Sequence, residues 1–167
     1  MKYFHHKQAG FTIIELMITL IVAAVVLAIG VPNFQTIIRT NQASADVNNL
    51  VTALNLARSE AVVRSTEVTV MPASGGSWGN GWVVGVDTDE DNVFPEPGEP
   101  VFRTFQAVNG LSFTANPTSV AFKPNGEAVA LASFAMVPSY CHDSMNKQRV
   151  LNVALAGYVE LQTRNCP

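Results

Sequence analysis

FTIIELMITLIVAAVVLAI, residues 11–29, is an apolar run interrupted by a single charge, Glu15. As an α-helix rising about 1.5 Å per residue, it nearly spans a hydrocarbon core of about 30 Å, so it is long enough to cross a membrane. The stretch before it, MKYFHHKQAG, is short and polar, and its Lys2 and Lys7 belong on the cytoplasmic side by the positive-inside rule. The rest of the chain is then exported. A secretory signal places a small-residue cleavage site after a shorter apolar region, whereas Gly10 stands before this one. Cleavage at Gly10 would leave the apolar helix on the mature chain.

Glu15 needs compensation, because a carboxylate within a membrane helix costs on the order of a few kcal/mol unless it is paired or near the interface. If the chain is cut after Gly10, the new amine of Phe11 lies one helical turn from Glu15, and a neighbouring subunit's amine could neutralise the same carboxylate. The alternative is a single-pass anchor whose Glu15 snorkels toward the headgroups. Gly30 and Pro32 follow the run. Pro32 lacks a helical donor and clashes with the preceding turn, so a kink, a local unwinding, or a plain bend at the bilayer exit is expected there.

Gly10-Phe11-Thr12-Ile13-Ile14-Glu15 before a long apolar helix resembles the class III signal of type IV prepilins and type II secretion pseudopilins. The resemblance implies that a prepilin peptidase cuts between Gly10 and Phe11 and methylates the amine of Phe11. It also implies that Phe11 and Glu15 guide subunit docking in a growing filament.

Beyond Pro32, Val47, Leu50, Val51, Leu54, Ala57, Ala61 and Val62 recur at spacings of three and four, which is the pattern of an amphipathic helix with one buried stripe. It should continue the membrane helix as a stalk to about Ser65 and pack on a sheet made from the remainder. After Ser65 come short β-rich runs separated by Gly, Pro and Asn, at 67–71, 82–86, 101–105, 111–113, 120–122, 128–134, 150–154 and 158–161. They predict an antiparallel sheet or pair of sheets, with 73–81 and 87–100 as surface loops. The expected fold class is α+β, a long N-terminal helix on a small antiparallel β domain. Its divisions are a leader at 1–10, a transmembrane and assembly helix at 11–31, an amphipathic helix at 32–65 and a periplasmic β-rich domain at 66–167.

A narrower resemblance lies in Leu54-Asn55-Leu56-Ala57-Arg58-Ser59-Glu60-Ala61, then Trp78-Gly79-Asn80-Gly81-Trp82, then Asp87. These residues are similar to the GspH/FimT family of minor pseudopilins and minor pilins. The family fold, a helix on a small antiparallel β domain, agrees with the periodicity. Gly79 and Gly81 suit a tight turn, and Trp78 and Trp82 are expected to cover one side of the core.

Cys141 and Cys166, the only cysteines, fall in the part predicted to face an oxidising compartment, and their even count predicts one disulfide. His142 adjoins Cys141, but two thiols and one imidazole fall short of a four-ligand structural zinc site. Asp87, Asp89 and Asp91 alternate like the first half of a calcium loop. Asn92 holds the usual glycine position there and no Glu falls at the twelfth, so a solvated turn is the default and calcium the weaker reading. His5 and His6 lie in the leader and His142 beside a cysteine, so no convincing general base presents itself and no enzyme is expected.

A nucleic-acid role would rest on Lys147, Arg149 and Arg164 as a small basic patch. FimT-type members of the family carry a Gly-Arg-x-Arg element that engages phosphate. The corresponding stretch here, Gly157-Tyr158-Val159-Glu160, lacks both arginines and adds an acid. The formal net charge of −3 and pI near 5.5 provide no global attraction for polyanions. Charged residues amount to 14%, against roughly 25% in typical soluble domains, and the mean hydropathy of +0.21 reflects the apolar segment.

Together the resemblances imply a minor type IV pilin of the FimU type, helping to initiate or cap a pilus that supports twitching motility. The alternatives are a type II secretion minor pseudopilin H and a FimT-type DNA-uptake pilin. The implied partners are other minor pilins and the major pilin, or pseudopilins, together with the prepilin peptidase and the inner membrane. No cofactor is implied.

Overall fold

The computed structural model describes residues 10–73, 76–89, 91, 93, 95–115, 117–139, 141 and 147–166, with the side chains of 32, 33, 36 and 115 excepted. It divides into two compact units, Met1–Ile38 and Arg39–Pro167, and a helix α1, Ile13–Arg64, runs from the first into the second. The leader, with Lys2, Lys7, His5 and His6, lies outside the described residues.

In the first unit, Ile13–Val31 has a mean hydropathy of 2.7, and its side chains are exposed throughout. Nothing among the described residues covers this surface, as expected of a segment whose solvent is lipid. The helix is unbroken through Pro32, so the local unwinding expected near Gly30 is absent. Pro32 removes one hydrogen-bond donor, and the helix continues on both sides of it although Gly30, Val31 and Asn33 are weak helix formers.

In the second unit, α1 meets two four-stranded antiparallel sheets. The first, in the order β3-β2-β1-β5, contains β1 (Val68–Pro72), β2 (Trp82–Gly85), β3 (Val101–Phe105) and β5 (Val120–Phe122). The second, in the order β4-β6-β7-β8, contains β4 (Leu111–Ala115), β6 (Ala132–Pro138), β7 (Lys147–Val153) and β8 (Val159–Asn165). One cluster joins them: Val47, Leu50, Ala53, Leu54, Ala57 and Ala61 of α1 with Val70, Trp82, Val120 and Phe122 from one sheet and Phe134, Met136, Leu151 and Val153 from the other. Ala53, Ala57 and Ala61 repeat every fourth residue, and their small side chains let the strands approach the helix backbone. Val62 departs from the expected stripe and is 50% exposed, while Ala53 takes a buried place in it.

The helix stops where Ser65 adopts φ 53°, the left-handed conformation common just past a helix end. Trp78 and Trp82, each 1% exposed, lie inside the core instead of covering one side of it. Trp78 packs edge-on against Phe134 at 4.7 Å between ring centroids and donates Nε1–H to the carbonyl of Pro117 at 2.7 Å. A short 3-10 turn, Trp78–Asn80, delivers that ring, so the segment 73–81 is only partly a surface loop.

The run expected as one strand at 128–134 is divided. Ala128 bridges back to Phe122 after a turn at Gly126 (φ 81°), and β6 starts only at Ala132 in the other sheet. Residues 129–131 carry the chain between sheets, which leaves Leu131 72% exposed. Arg58 links this crossing to α1, donating from Nε to the carbonyl of Gly126 at 2.9 Å and from Nη2 to that of Ala156 at 3.2 Å. Gly157, at φ 79°, closes the turn between β7 and β8, and a Cβ there would run into the Gly126 carbonyl and the Arg58 guanidinium. Only glycine fits.

Cys141 and Cys166 form a disulfide, with Cα atoms 5.6 Å apart and a sequence separation of 25. It fastens the end of β8 to the chain leaving β6. Asp46 of α1 is buried; it accepts from Gln42 Nε2 at 3.0 Å and from the backbone of Asn109, and its Oδ2 has no partner among the described residues. Burial raises its pKa above the ordinary 3.8 against the smaller opposing pull of those two hydrogen bonds.

Two predictions follow from these buried features, both measured on the full chain in detergent. Cys141→Ser/Cys166→Ser lowers the unfolding free energy by about 3 kcal/mol in a denaturant melt, by freeing the unfolded chain; an unchanged midpoint contradicts this. For Asp46, folding favours the neutral acid, so its contribution is full below the ordinary value of 3.8 and is lost as pH rises through the raised folded value. Asp46→Asn is therefore expected to melt higher than the parent at pH 7. The difference should shrink toward zero as pH falls below 3.8, and a mutant that melts lower at pH 7 contradicts the assignment.

Candidate functional site

The N-terminal segment assembles its geometry at the first turn of α1. Gly10, Phe11 and Thr12 precede the helix, and Glu15 lies in its first turn. Thr12 is the cap: its Oγ1 accepts the backbone N–H of Glu15 at 3.2 Å, and its carbonyl accepts the N–H of Leu16 at 3.1 Å. Thr12-Ile13-Ile14-Glu15 has the spacing of a capping box, a signal readable in the sequence but passed over there. The cap fixes where the helix starts and holds Phe11 just outside it. A carboxylate in the first turn also faces the positive end of the helix dipole. Phe11 is 80% exposed, so the bond between Gly10 and Phe11 lies in accessible chain ahead of the helix.

The acidic loop brings together more carboxylates than the alternating aspartates alone suggest. Carboxylate oxygens of Asp87, Asp89 and Glu99 lie within 4.8 Å of one another, as do those of Asp89, Asp91 and Glu96. Glu96 and Glu99 come from the returning arm, at positions ten and thirteen counted from Asp87, neither of which is a ligand position of the twelve-residue calcium loop; Asn92 lies outside the described residues. These groups also build the loop: Glu99 accepts from Thr88 N–H at 2.9 Å and Glu96 N–H at 3.0 Å, and Asp91 accepts from Val93 N–H at 2.7 Å. Asp91 above all, then burial and the other acids, raises the pKa of Glu96. Oxygens this close suit a hard cation such as calcium, and they serve equally as acceptors for the turn.

The basic residues do not form one patch. Lys147 pairs with Asn165 and Arg149 with Thr163 across β7 and β8, while Arg164 sits opposite Gln148. Alternate residues of a strand face opposite sides, so Arg164 is on the other face from Lys147 and Arg149. Arg149 is spent on Thr163 Oγ1 at 2.6 Å. Glu160 is exposed beside Tyr158, in the position where a phosphate-binding arginine would be wanted. His142 lies outside the described residues.

Two surface hollows among the described residues have volumes of about 400 Å³ each. One is lined by Leu131, Ser133, Asn152, Tyr158 and Glu160, and the other by Ser77, Trp78, Leu111 and Phe113. Neither joins a nucleophile to a base. What the described residues offer is exposed apolar surface, on a helix with a capped, accessible start.

Comparison with known proteins agrees. The model of the prokaryotic N-terminal methylation motif matches residues 5–31, and that of the type II transport protein GspH matches residues 46–157. No curated protein matches the chain by sequence. Among solved structures, the type IV minor pilin FimU of Pseudomonas aeruginosa strain PAO1 superposes with a TM-score of 0.59 at 22% identity, over 74% of this chain and 90% of that one. The minor pseudopilin EpsH from the type 2 secretion system of Vibrio cholerae superposes with a TM-score of 0.52 at 13% identity, over 72% and 96%. At such identities the likeness is one of fold, and it is the type IV pilin-like fold expected from the sequence. With the GspH model covering residues 46–157 and the methylation motif preceding it, the chain belongs to the GspH family of pilin-like proteins.

Proposed function

We propose that this chain is a minor type IV pilin of the FimU type, cut between Gly10 and Phe11, methylated at Phe11 and built into a pilus that it helps to initiate or cap. The observation that carries the reading is the fully exposed apolar helix that begins immediately after the Gly10-Phe11 pair. Cleavage there removes the polar leader, and the mature subunit keeps both its membrane segment and its core.

In this reading residues 11–31 stay in the inner membrane until assembly and the domain beyond stands in the periplasm. There an oxidising environment matches the Cys141–Cys166 disulfide. Glu15 receives the amine of Phe11 from its own or a neighbouring subunit, which makes docking within lipid favourable. The partners are then other minor pilins and the major pilin, and the work done is assembly without catalysis.

A second reading, a minor pseudopilin of type II secretion, is supported by the family model itself, and the same processing and fold serve it equally. DNA uptake is disfavoured by the split of Arg164 from Lys147 and Arg149 and by Glu160.

Deleting the gene in its host and scoring both outputs separates the two machines. Lost twitching motility with normal protein secretion is the expected result; lost secretion with normal motility overturns the pilus assignment in favour of the pseudopilin.

A further inference from the structure

A sheet edge presents unpaired backbone donors and acceptors and is ordinarily blunted by shortness, bulges or charge. Three of the four edges here are blunted. β5 has three residues, β3 joins its neighbour through an irregularity at Val84/Gly85, and β4 through one at Phe113/Ala115. β8 is different: seven residues pair with β7 in unbroken register, and no strand among the described residues pairs with its outer side.

The phase of that outer edge follows from the turn. Ala154 N–H bonds to the Tyr158 carbonyl at 3.0 Å, so these two form a hydrogen-bonded pair. Alternation along an antiparallel ladder then turns the even-numbered residues Glu160, Gln162 and Arg164 inward to β7. The backbone groups of Val159, Leu161, Thr163 and Asn165 point outward, free to accept another strand.

The side chains say which strand. Glu160, Gln162 and Arg164 share one face; Gln162 donates to Glu160 at 3.2 Å, and Arg164 donates to Gln162 at 3.3 Å. Neither Glu160 nor Arg164 makes an ion pair among the described residues. A strand with an acid two residues before its centre and a base two residues after it is complementary to itself when reversed. We propose that β8 pairs antiparallel with β8 of a second copy of this chain, about a two-fold axis at Gln162.

In that pairing Glu160 stands opposite Arg164 of the second copy, and Arg164 opposite its Glu160. Both fall at non-hydrogen-bonded positions, where side chains lie closest and opposite charges contribute most. Leu161, 43% exposed on the face that carries Leu151 of β7, stands opposite Thr163 of the second copy, and that pair exchanges two backbone hydrogen bonds. All the outward backbone groups pair in phase, since odd-numbered residues meet odd-numbered ones. The contact is isologous and closes on itself, which limits it to two copies. It does not depend on the filament role proposed above.

Gln162→Cys tests it in the full-length chain, expressed in membranes of a host with neither a pilus nor a type II secretion system. At the two-fold axis the two Cβ atoms lie about 4.5–5.5 Å apart, so a mild oxidant should yield a disulfide-linked dimer. Adding Glu160→Arg should reduce the dimer about tenfold by setting like charges opposite each other, and further adding Arg164→Glu should restore it. A chain that stays monomeric, a dimer indifferent to both charge changes, or equal crosslinking through Thr104→Cys on the other sheet would overturn the proposal.

Discussion

The structure depends on one stripe of α1 being buried against two sheets at once. Leu50, Ala53, Leu54, Ala57 and Ala61 are each 0% exposed, and their neighbours in the core come from both sheets. Each sheet turns an apolar face to this stripe and has to bury it there. Burying a leucine is worth about 1.5–3 kcal/mol, and the alanines contribute by letting the strands come close. Among the described residues, the Nε1 of Trp82 in this core and the Oδ2 of the buried Asp46 have no hydrogen-bond partner. Each costs about 1–3 kcal/mol of desolvation, which the surrounding packing has to outweigh.

The same helix serves two solvents. Up to Val31 its side chains are exposed and, Glu15 and Thr19 apart, apolar on every side; from Val47 they are apolar on one side and that side is covered. The two parts are separable along the chain: cleavage behind the apolar run would remove the exposed segment and leave the buried stripe in the domain, whereas cleavage at Gly10 would keep both. The cap at Thr12 gives the helix a defined first turn.

Much of this architecture was legible in the sequence, because its signals are periodic. Spacings of three and four gave α1 to within one residue of its end, and the strands 101–105 and 120–122 stand where alternation put them. What escaped was set by tertiary contacts that have no local signature. Residues 128–131 look like strand but are used to cross between sheets, and the Trp78 ring turns inward because Phe134 and the Pro117 carbonyl receive it. The helix continues through Pro32, where local unwinding was one of the expectations. In the acidic loop, Asp87, Asp89 and Asp91 were visible as a pattern, whereas Glu96 and Glu99 join them only through the fold of the returning arm. Thr12 was a true local signal, overlooked beside the more conspicuous Glu15.

The central claim is that this helix begins at Phe11 in the working protein and is kept. Intact mass and N-terminal sequencing of the chain from membranes of its native host, with and without prepilin peptidase, test it most directly. The account predicts a methylated Phe11 at the N-terminus when the peptidase is present and the uncut leader when it is absent. An intact leader in both strains would contradict it and leave a membrane-anchored β domain outside any filament.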